Sequence, residues 1–163
     1  MKRLMSFLFV SVLCLYCVVP SFAAEAAVQR SQETVASVTE EDLGNGFTMK
    51  TVIVVQKVNA RSVQSSTQTR TAKKTSTVEH NGDRVGSMTL TANFGYNGSS
   101  AWVNSMSTSH SIASGWTYED EQTWKSGGTA NMSAVMAKKL GSITLVSVEP
   151  QISISCSSTG QIS

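Results

Sequence analysis

The sequence predicts an all-β protein: an antiparallel β-sandwich of about six to eight strands that follows a signal peptide and a flexible leader. From Phe47 onward, β-branched and Ser/Thr-rich segments alternate with Asn-Gly and Gly steps that are typical of turns. Several of these segments also alternate apolar and polar residues with the period of two that a half-buried strand requires. A barrel would produce the same pattern, and we favour the sandwich.

Residues 1–26 have the organisation of a secretory signal peptide. Lys2 and Arg3 precede a continuous apolar run over residues 4–19, which ends at Pro20. Small residues allow cleavage after either Ala23 or Ala26. The run of about 16 apolar residues is shorter than the roughly 20 that span a bilayer, so we expect a secreted, extracellular protein with no membrane insertion after processing.

Processing leaves a nearly neutral chain with one cysteine. Removal of Lys2 and Arg3 leaves eleven basic residues against eleven acidic ones, and no basic cluster is larger than a Lys-Lys pair. A nucleic-acid-binding surface is therefore not expected. Of the three cysteines only Cys156 remains, so no intramolecular disulfide forms. Its period-two spacing with Ile152 and Ile154 predicts a buried structural thiol, with an intermolecular bridge as the alternative.

The leader is predicted over residues 27–46, which lack a sustained apolar period, and a single sandwich domain over residues 47–163. Residues 51–58 are apolar and β-branched enough for a largely buried strand. Residues 65–80 carry polar side chains on both faces, apart from Ala72 and Val78, and are therefore predicted to form an edge strand.

Two Asn-Gly steps predict hairpin turns, at Asn81-Gly82 and at Asn97-Gly98. The strand between them has the clearest alternation in the chain, with five apolar residues pointing to the core. These are Met88, Leu90, Ala92, Phe94 and Tyr96.

The second half of the chain continues the pattern. A strand over 101–112 is expected to place Trp102, Met106 and Ile112 on one face, and residues 116–125 form one strand or two short ones. Alternating Ala and Met residues over 130–136 predict another strand, although residues 135–140 would also suit a short helix. Residues 143–148 and 152–156 form the closing strand or strands, with Pro150 marking a bulge, bend or edge.

Groups able to perform catalysis are few in the mature chain. His80 and His110 lie outside any motif that activates a nucleophile, and both are predicted to be ordinary surface residues. The sequence has no metal-binding histidine spacing, no glycine-rich phosphate loop and no Gly-x-Ser-x-Gly elbow. The acidic run 119–121 is read as a solvated turn rather than a calcium or glycosidase site. We therefore expect a non-enzymatic protein without a cofactor.

An aromatic-rich segment is the best candidate binding site. If residues 116–124 form one regular strand, five alternate residues share a face on which aromatic rings lie beside a carboxylate and an amide. They are Trp116, Tyr118, Asp120, Gln122 and Trp124. Such a face would bind a sugar ring on the aromatics and its hydroxyls on the polar groups. The alternative is that the aromatic side chains fill the core.

The run MTLTANFGYNGSSAWV, the Trp-containing middle and the ending ISISCSSTGQIS resemble small secreted proteins of Gram-positive, Clostridia-like bacteria that carry uncharacterised β-rich domains. The resemblance spans residues 51–163 and implies no activity. The sequence thus predicts a secreted β-sandwich that binds a glycan or cell-wall polymer. The alternative is a structural or assembly protein whose polar edge strand pairs with another protein chain.

Overall fold

The computed structural model describes residues 33–56 and 67–163, and it is the predicted antiparallel β-sandwich. The signal-peptide prediction lies outside these residues. The described part contains nine strands and no helix, hence no helix of membrane-spanning length and apolarity. The strands are β1 (Glu33–Gly44), β2 (Phe47–Gln56), β3 (Gln68–His80), β4 (Asp83–Tyr96), β5 (Ala101–Ile112), β6 (Thr117–Ser126), β7 (Thr129–Leu140), β8 (Ile143–Val148) and β9 (Gln151–Ser155).

The strands form two antiparallel sheets. The first sheet has the order β1-β2-β3-β4-β5, and the second has β6-β7-β8 with β9 also paired to β7. Met136 pairs with Val148 of β8, and Ser133 pairs with Gln151 of β9 in the same register. β8 and β9 therefore lie end to end along the same side of β7. Pro150 separates them, because it has no N–H to donate to the ladder. The predicted interruption at Pro150 is confirmed.

The core lies between the two sheets. From the first sheet, Met88, Leu90, Ala92 and Phe94 are fully buried, and Tyr96 is 8% exposed. The second sheet contributes alternate residues of β7 that are at most 1% exposed, namely Ala130, Met132, Ala134 and Met136. The predicted alternation in both segments is confirmed, and residues 135–140 continue β7 instead of forming a helix.

Both predicted Asn-Gly turns occur. Asn81 and Gly82 have φ values of 52° and 86°, the left-handed geometry that a tight hairpin between β3 and β4 requires. At the second turn, the Asn97 side-chain oxygen accepts hydrogen bonds from the backbone N–H groups of Ser99 and Ser100 at 3.0 and 2.9 Å. These bonds close the loop between β4 and β5.

The predicted flexible leader over 27–46 differs from the structure, which has β1 over Glu33–Gly44. β1 pairs with β2 along almost its whole length, for example Val38 with Val52. Most β1 side chains are exposed, so backbone hydrogen bonds to β2 explain a strand that has no apolar period.

The prediction of an edge strand over residues 65–80 is wrong. The described part of this segment, β3, is the central strand of the first sheet. One face of this sheet is solvated, so four side chains of β3 point to water, those of Thr71, Lys73, Thr75 and Thr77. On the inner face, Ala72, Ser76 and Val78 are small enough to be fully buried. Lys74 also points inward but extends its ammonium group to the carbonyl of Ser153 at 2.8 Å.

A bulge in β5 separates residues that were predicted to share a face. Trp102 lies opposite Gly95, whereas Met106 lies opposite the buried Ala92, and the register shifts by one residue between these pairs. Asn104 is the extra residue. The expectation for Trp102 is therefore wrong: its indole lies on the outer face of the first sheet, while Met106 packs against the core.

Candidate ligand-binding face

A bulge at Asp120 divides the predicted aromatic platform. The register along β6 and β7 passes from Glu119 opposite Val135 to Gln122 opposite Ser133, so β6 contains one extra residue. Asp120 has a φ of 52°, the left-handed conformation that such a bulge needs. Residues 116–124 are therefore not one regular strand, and the five predicted site residues do not share a face.

The two aromatic residues before the bulge pack inward. Tyr118 lies opposite Met136, which is fully buried, and packs against the core. Trp116 precedes β6, and its ring lies 5.9 Å from Phe47 and 5.8 Å from His80. Core packing, the alternative for the aromatics, is thus correct for Trp116 and Tyr118. His80 is half-buried beside Phe47 rather than an ordinary surface residue.

After the bulge, Gln122 and Trp124 point to the outer face of the second sheet. The register places them in two neighbouring cross-strand rows with side chains of β7 and β9. Residues directly opposite each other in antiparallel strands share a face, and the core residues of β7 show which face is inner. We call the six side chains the outer patch: Gln122, Ser133 and Gln151 in one row, and Trp124, Asn131 and Ser153 in the other.

The outer patch combines an accessible indole with neutral polar groups. Trp124 is 38% exposed, and Gln122, Gln151 and Ser153 are exposed. The central pair of the patch, Asn131 and Ser133, is 8% exposed. Three strands at about 4.8 Å spacing make a platform about 10 Å wide.

Two charged residues on the same face, Glu119 and Lys139, neutralise each other. Lys139 donates to the Glu119 carboxylate at 2.6 Å. This hydrogen bond, with a weaker one from Thr117, holds the pKa of Glu119 below its usual value. The outer patch itself offers only amide, hydroxyl and indole groups.

A second polar cluster lies at the edge where β5 of the first sheet approaches β6 of the second. The Glu121 carboxylate accepts hydrogen bonds from the Thr108 hydroxyl at 2.6 Å and from the Tyr118 hydroxyl at 2.8 Å. The His110 ring stacks on Tyr118, with 3.7 Å between centroids and 13° between planes. His110 Nδ1 lies 3.8 Å from Glu121. We call these four residues the edge cluster.

Hydrogen bonds and burial shift the pKa values of two members of the edge cluster, Glu121 and Tyr118. The Thr108 hydrogen bond is the main cause that lowers the pKa of Glu121. Burial is the next largest effect and opposes it, while the Tyr118 hydrogen bond and the interaction with His110 add to the lowering. Burial, followed by the Glu121 carboxylate, raises the pKa of Tyr118 far above its usual value. An ionised Glu121 that accepts two hydrogen bonds joins the two sheets at this edge.

Sequence reasoning missed the edge cluster. The sequence predicts His110 as an ordinary surface residue and the 119–121 run as a solvated turn. The acidic run is the one local signal of this cluster. Its three charged residues interrupt the apolar–polar alternation of β6 at the bulge, and the bulge turns Glu121 inward. The partners Thr108 and His110 lie on another strand, and no local pattern identifies them.

Lys125 covers the free edge of β5. Its ammonium group donates to the carbonyls of Val103 at 3.4 Å and Asn104 at 3.1 Å, next to the β5 bulge. A lysine and a bulge are both features that prevent an edge strand from pairing with another chain.

Cys156 is buried, as predicted, at 7% exposure. Burial raises the pKa of its thiol, and the nearby Arg70 charge partly opposes this effect. The residue borders an open concavity of about 620 Å³ between Arg70 and the segment that ends at Ser163. A protonated, buried thiol fits the structural role expected for it.

Among residues 33–56 and 67–163, no group of three or more His, Cys, Asp or Glu side chains is arranged to hold a metal ion. Comparisons with known proteins found no matching family model, curated protein or solved structure. The resemblance to secreted Clostridia-like proteins stays a prediction. Any functional assignment therefore depends on the geometry of the described surfaces.

Proposed function

We propose that this protein is a secreted, non-enzymatic binding protein that holds a neutral glycan or cell-wall polymer on the outer patch. The observation that carries the proposal is exposed Trp124 on the outer face of the second sheet, flanked by neutral amides and hydroxyls. Secretion remains the expectation drawn from residues 1–26.

Trp124 supplies the apolar contact. An indole is a large, rigid surface, and its contact with the C–H face of a pyranose ring removes apolar area from water on both partners. Its backbone is fixed by pairing with Asn131, whose side-chain amide also donates to the Trp124 carbonyl at 3.4 Å. Binding therefore requires little ordering of the main chain.

The amides supply directional contacts. Gln122 and Gln151 each offer a carbonyl acceptor and an N–H₂ donor, and a sugar hydroxyl both donates and accepts. Ser133 lies between them on the central strand. An open array of such groups suits an extended chain of sugar residues more than a small molecule that needs enclosure.

The charge of the patch selects the ligand class. Because the Glu119 carboxylate pairs with Lys139, neither attracts a charged ligand strongly. An anionic polymer would gain little here, whereas a neutral glycan avoids the cost of desolvating a charge. We therefore expect neutral hexose, pentose or N-acetylhexosamine polymers to bind best.

Isothermal titration with cellohexaose, xylohexaose and chitohexaose, together with pull-down on purified peptidoglycan, tests the proposal. Binding of at least one of these that Trp124→Ala weakens by about tenfold or more is the expected result. Trp116→Phe is the matched control, because Trp116 packs inward and its replacement should leave affinity unchanged. Absence of binding to all four, or equal binding by Trp124→Ala, would contradict the proposal.

Assembly through an edge strand is a second candidate, and a specific observation favours it. β1 is a 12-residue edge strand on which Val35 and Val38 are 59% and 56% exposed. This strand replaces residues 65–80 as the candidate for strand addition. Its acidic residues Glu40 and Glu41 would repel a second β1, so a neutral or basic strand is the better partner.

Sedimentation of the purified protein over a wide concentration range distinguishes the two candidates. A monomer at all concentrations counts against self-assembly through β1. Concentration-dependent association that Val38→Lys abolishes would support it, since a lysine on an edge strand opposes pairing.

A further inference from the structure

Trp102 forms a separate aromatic surface on the opposite side of the molecule from the outer patch. It lies opposite Gly95 in the β4–β5 pair, and the neighbours of Gly95 in sequence, Phe94 and Tyr96, are buried in the core. Side chains alternate along a strand, so Gly95 and Trp102 belong to the outer face of the first sheet.

The absence of a side chain at residue 95 lets the indole lie on the backbone of β4. A Cβ atom placed there would be 2.5 Å from Cε2 of Trp102 and 2.7 Å from Nε1. The Nε1–Cε2–Cζ2 side of the indole therefore lies directly against the β4 backbone at Gly95. Trp102 is half-buried, as this geometry requires.

A chain of hydrogen bonds fixes the polar groups beside the ring. The indole Nε1–H donates to Asn104 Oδ1 at 2.8 Å, and Asn104 Nδ2 donates to Asn93 Oδ1 at 2.9 Å. Asn93 Nδ2 in turn donates to the Thr71 hydroxyl oxygen at 2.9 Å. Each amide retains a second N–H, and the Thr71 hydroxyl retains its hydrogen for a ligand.

We propose that Trp102, Asn104, Asn93 and Thr71 form a second binding site for the same class of neutral glycan, which makes the protein bivalent. This inference rests on the proposed function of the outer patch. It uses the same chemistry, an aromatic surface beside neutral amide and hydroxyl groups, but with a ring whose orientation is already fixed. A fixed ring and fixed amides reduce the entropy lost on binding.

Bivalency has a mechanical consequence. The two sites lie on the outer faces of two stacked sheets and point away from each other, so one short oligosaccharide cannot occupy both. A single protein molecule would connect two polymer chains. Crosslinking of polysaccharide, rather than tighter binding to one chain, is the expected activity.

The test is calorimetric stoichiometry with the oligosaccharide that binds, followed by turbidity with the corresponding long, soluble polysaccharide. Wild-type protein should bind two oligosaccharides per chain and make the polysaccharide solution turbid. Trp102→Ala and Trp124→Ala should each bind one and produce no turbidity, and the double variant should bind none. Asn104→Ala, which keeps the ring, should weaken the second site by about tenfold.

Ser107→Ala is the matched control, because Ser107 is exposed on the same face of β5 and outside the proposed site. If the wild-type protein binds one oligosaccharide and Trp124→Ala binds none, the second site is overturned and the proposed function stands. Two sites of wild-type affinity in both Trp102→Ala and Asn104→Ala would also overturn it. No binding by wild-type protein would overturn both proposals together.

Discussion

Tyr118 and Trp124 lie on opposite faces of β6, although an even number of positions separates them. The bulge at Asp120 causes this, because it shifts the β6–β7 register between Glu119 and Gln122. One residue thus directs Tyr118 to the core and Trp124 to solvent. The bulge also turns Glu121 toward Thr108 on the other sheet.

Replacement of Asp120 tests the role of this bulge. Asp120→Val should destabilise the protein by about 1–2 kcal/mol, because a β-branched residue is disfavoured at a φ of 52°. Asp120→Gly is the matched control and should cost far less, since glycine accepts this conformation. Urea unfolding of both variants measures the difference, and equal stabilities would contradict the left-handed geometry.

Thr51 and Ser76 form a buried hydrogen bond that a double-mutant cycle can measure. Their side-chain oxygens lie 2.7 Å apart on the inner face of β2 and β3, at 4% and 0% exposure. Ser76→Ala should cost about 1–3 kcal/mol, because it leaves the Thr51 hydroxyl buried without its partner. Adding Thr51→Val to that variant should cost little more, and fully additive effects would argue against this contact.

The fold was more predictable from the sequence than the site. The prediction of β4 is correct because the whole apolar–polar alternation lies within this one strand, between two Asn-Gly turns. The sequence predicts an edge position for β3 because it does not show which strands neighbour a polar one. Small inner residues such as Ala72 allow the central position that β3 has in the structure. Of the five candidate site residues, Gln122 and Trp124 share an outer face, but the bulge and the cross-strand partner Asn131 depend on strand pairing that no local pattern shows.

The edge cluster predicts a specific pH dependence of stability. Folding lowers the pKa of Glu121. The contribution of this carboxylate to the free energy of unfolding is therefore present above the usual glutamate pKa of about 4.3 and is lost as the pH falls through the lowered pKa. Folding raises the pKa of Tyr118, so that contribution is present below about pH 10 and is lost as the pH rises through the folded value.

Urea unfolding as a function of pH checks this dependence with two variants. Glu121→Gln should reduce the fall in stability on the acid side relative to wild type. Tyr118→Phe keeps the ring that stacks on His110 and removes the hydroxyl, so it should raise the pKa of Glu121 measured by carboxyl NMR titration. Parallel pH profiles for wild type and Glu121→Gln would show that the carboxylate is not held as described.

The hairpin between β7 and β8 exposes three large apolar side chains. Leu140, Ile143 and Leu145 are 69%, 64% and 58% exposed. Clustered exposed apolar groups promote self-association, so Leu140→Thr combined with Ile143→Thr should raise the protein concentration at which light scattering detects aggregates. Stability should change by less than about 0.5 kcal/mol for each substitution, because neither side chain is in the core. Unchanged solubility would contradict this expectation.

The three tryptophan indole N–H signals in a nitrogen-15 NMR spectrum provide the most direct test of glycan binding on the outer patch. Titration with the hexasaccharides of cellulose, xylan and chitin should move the Trp124 signal for at least one of them. The Trp116 signal should stay in place, because this ring packs against Phe47 and His80. A Trp124 signal that no glycan moves, or a shift confined to Trp116, would contradict the account.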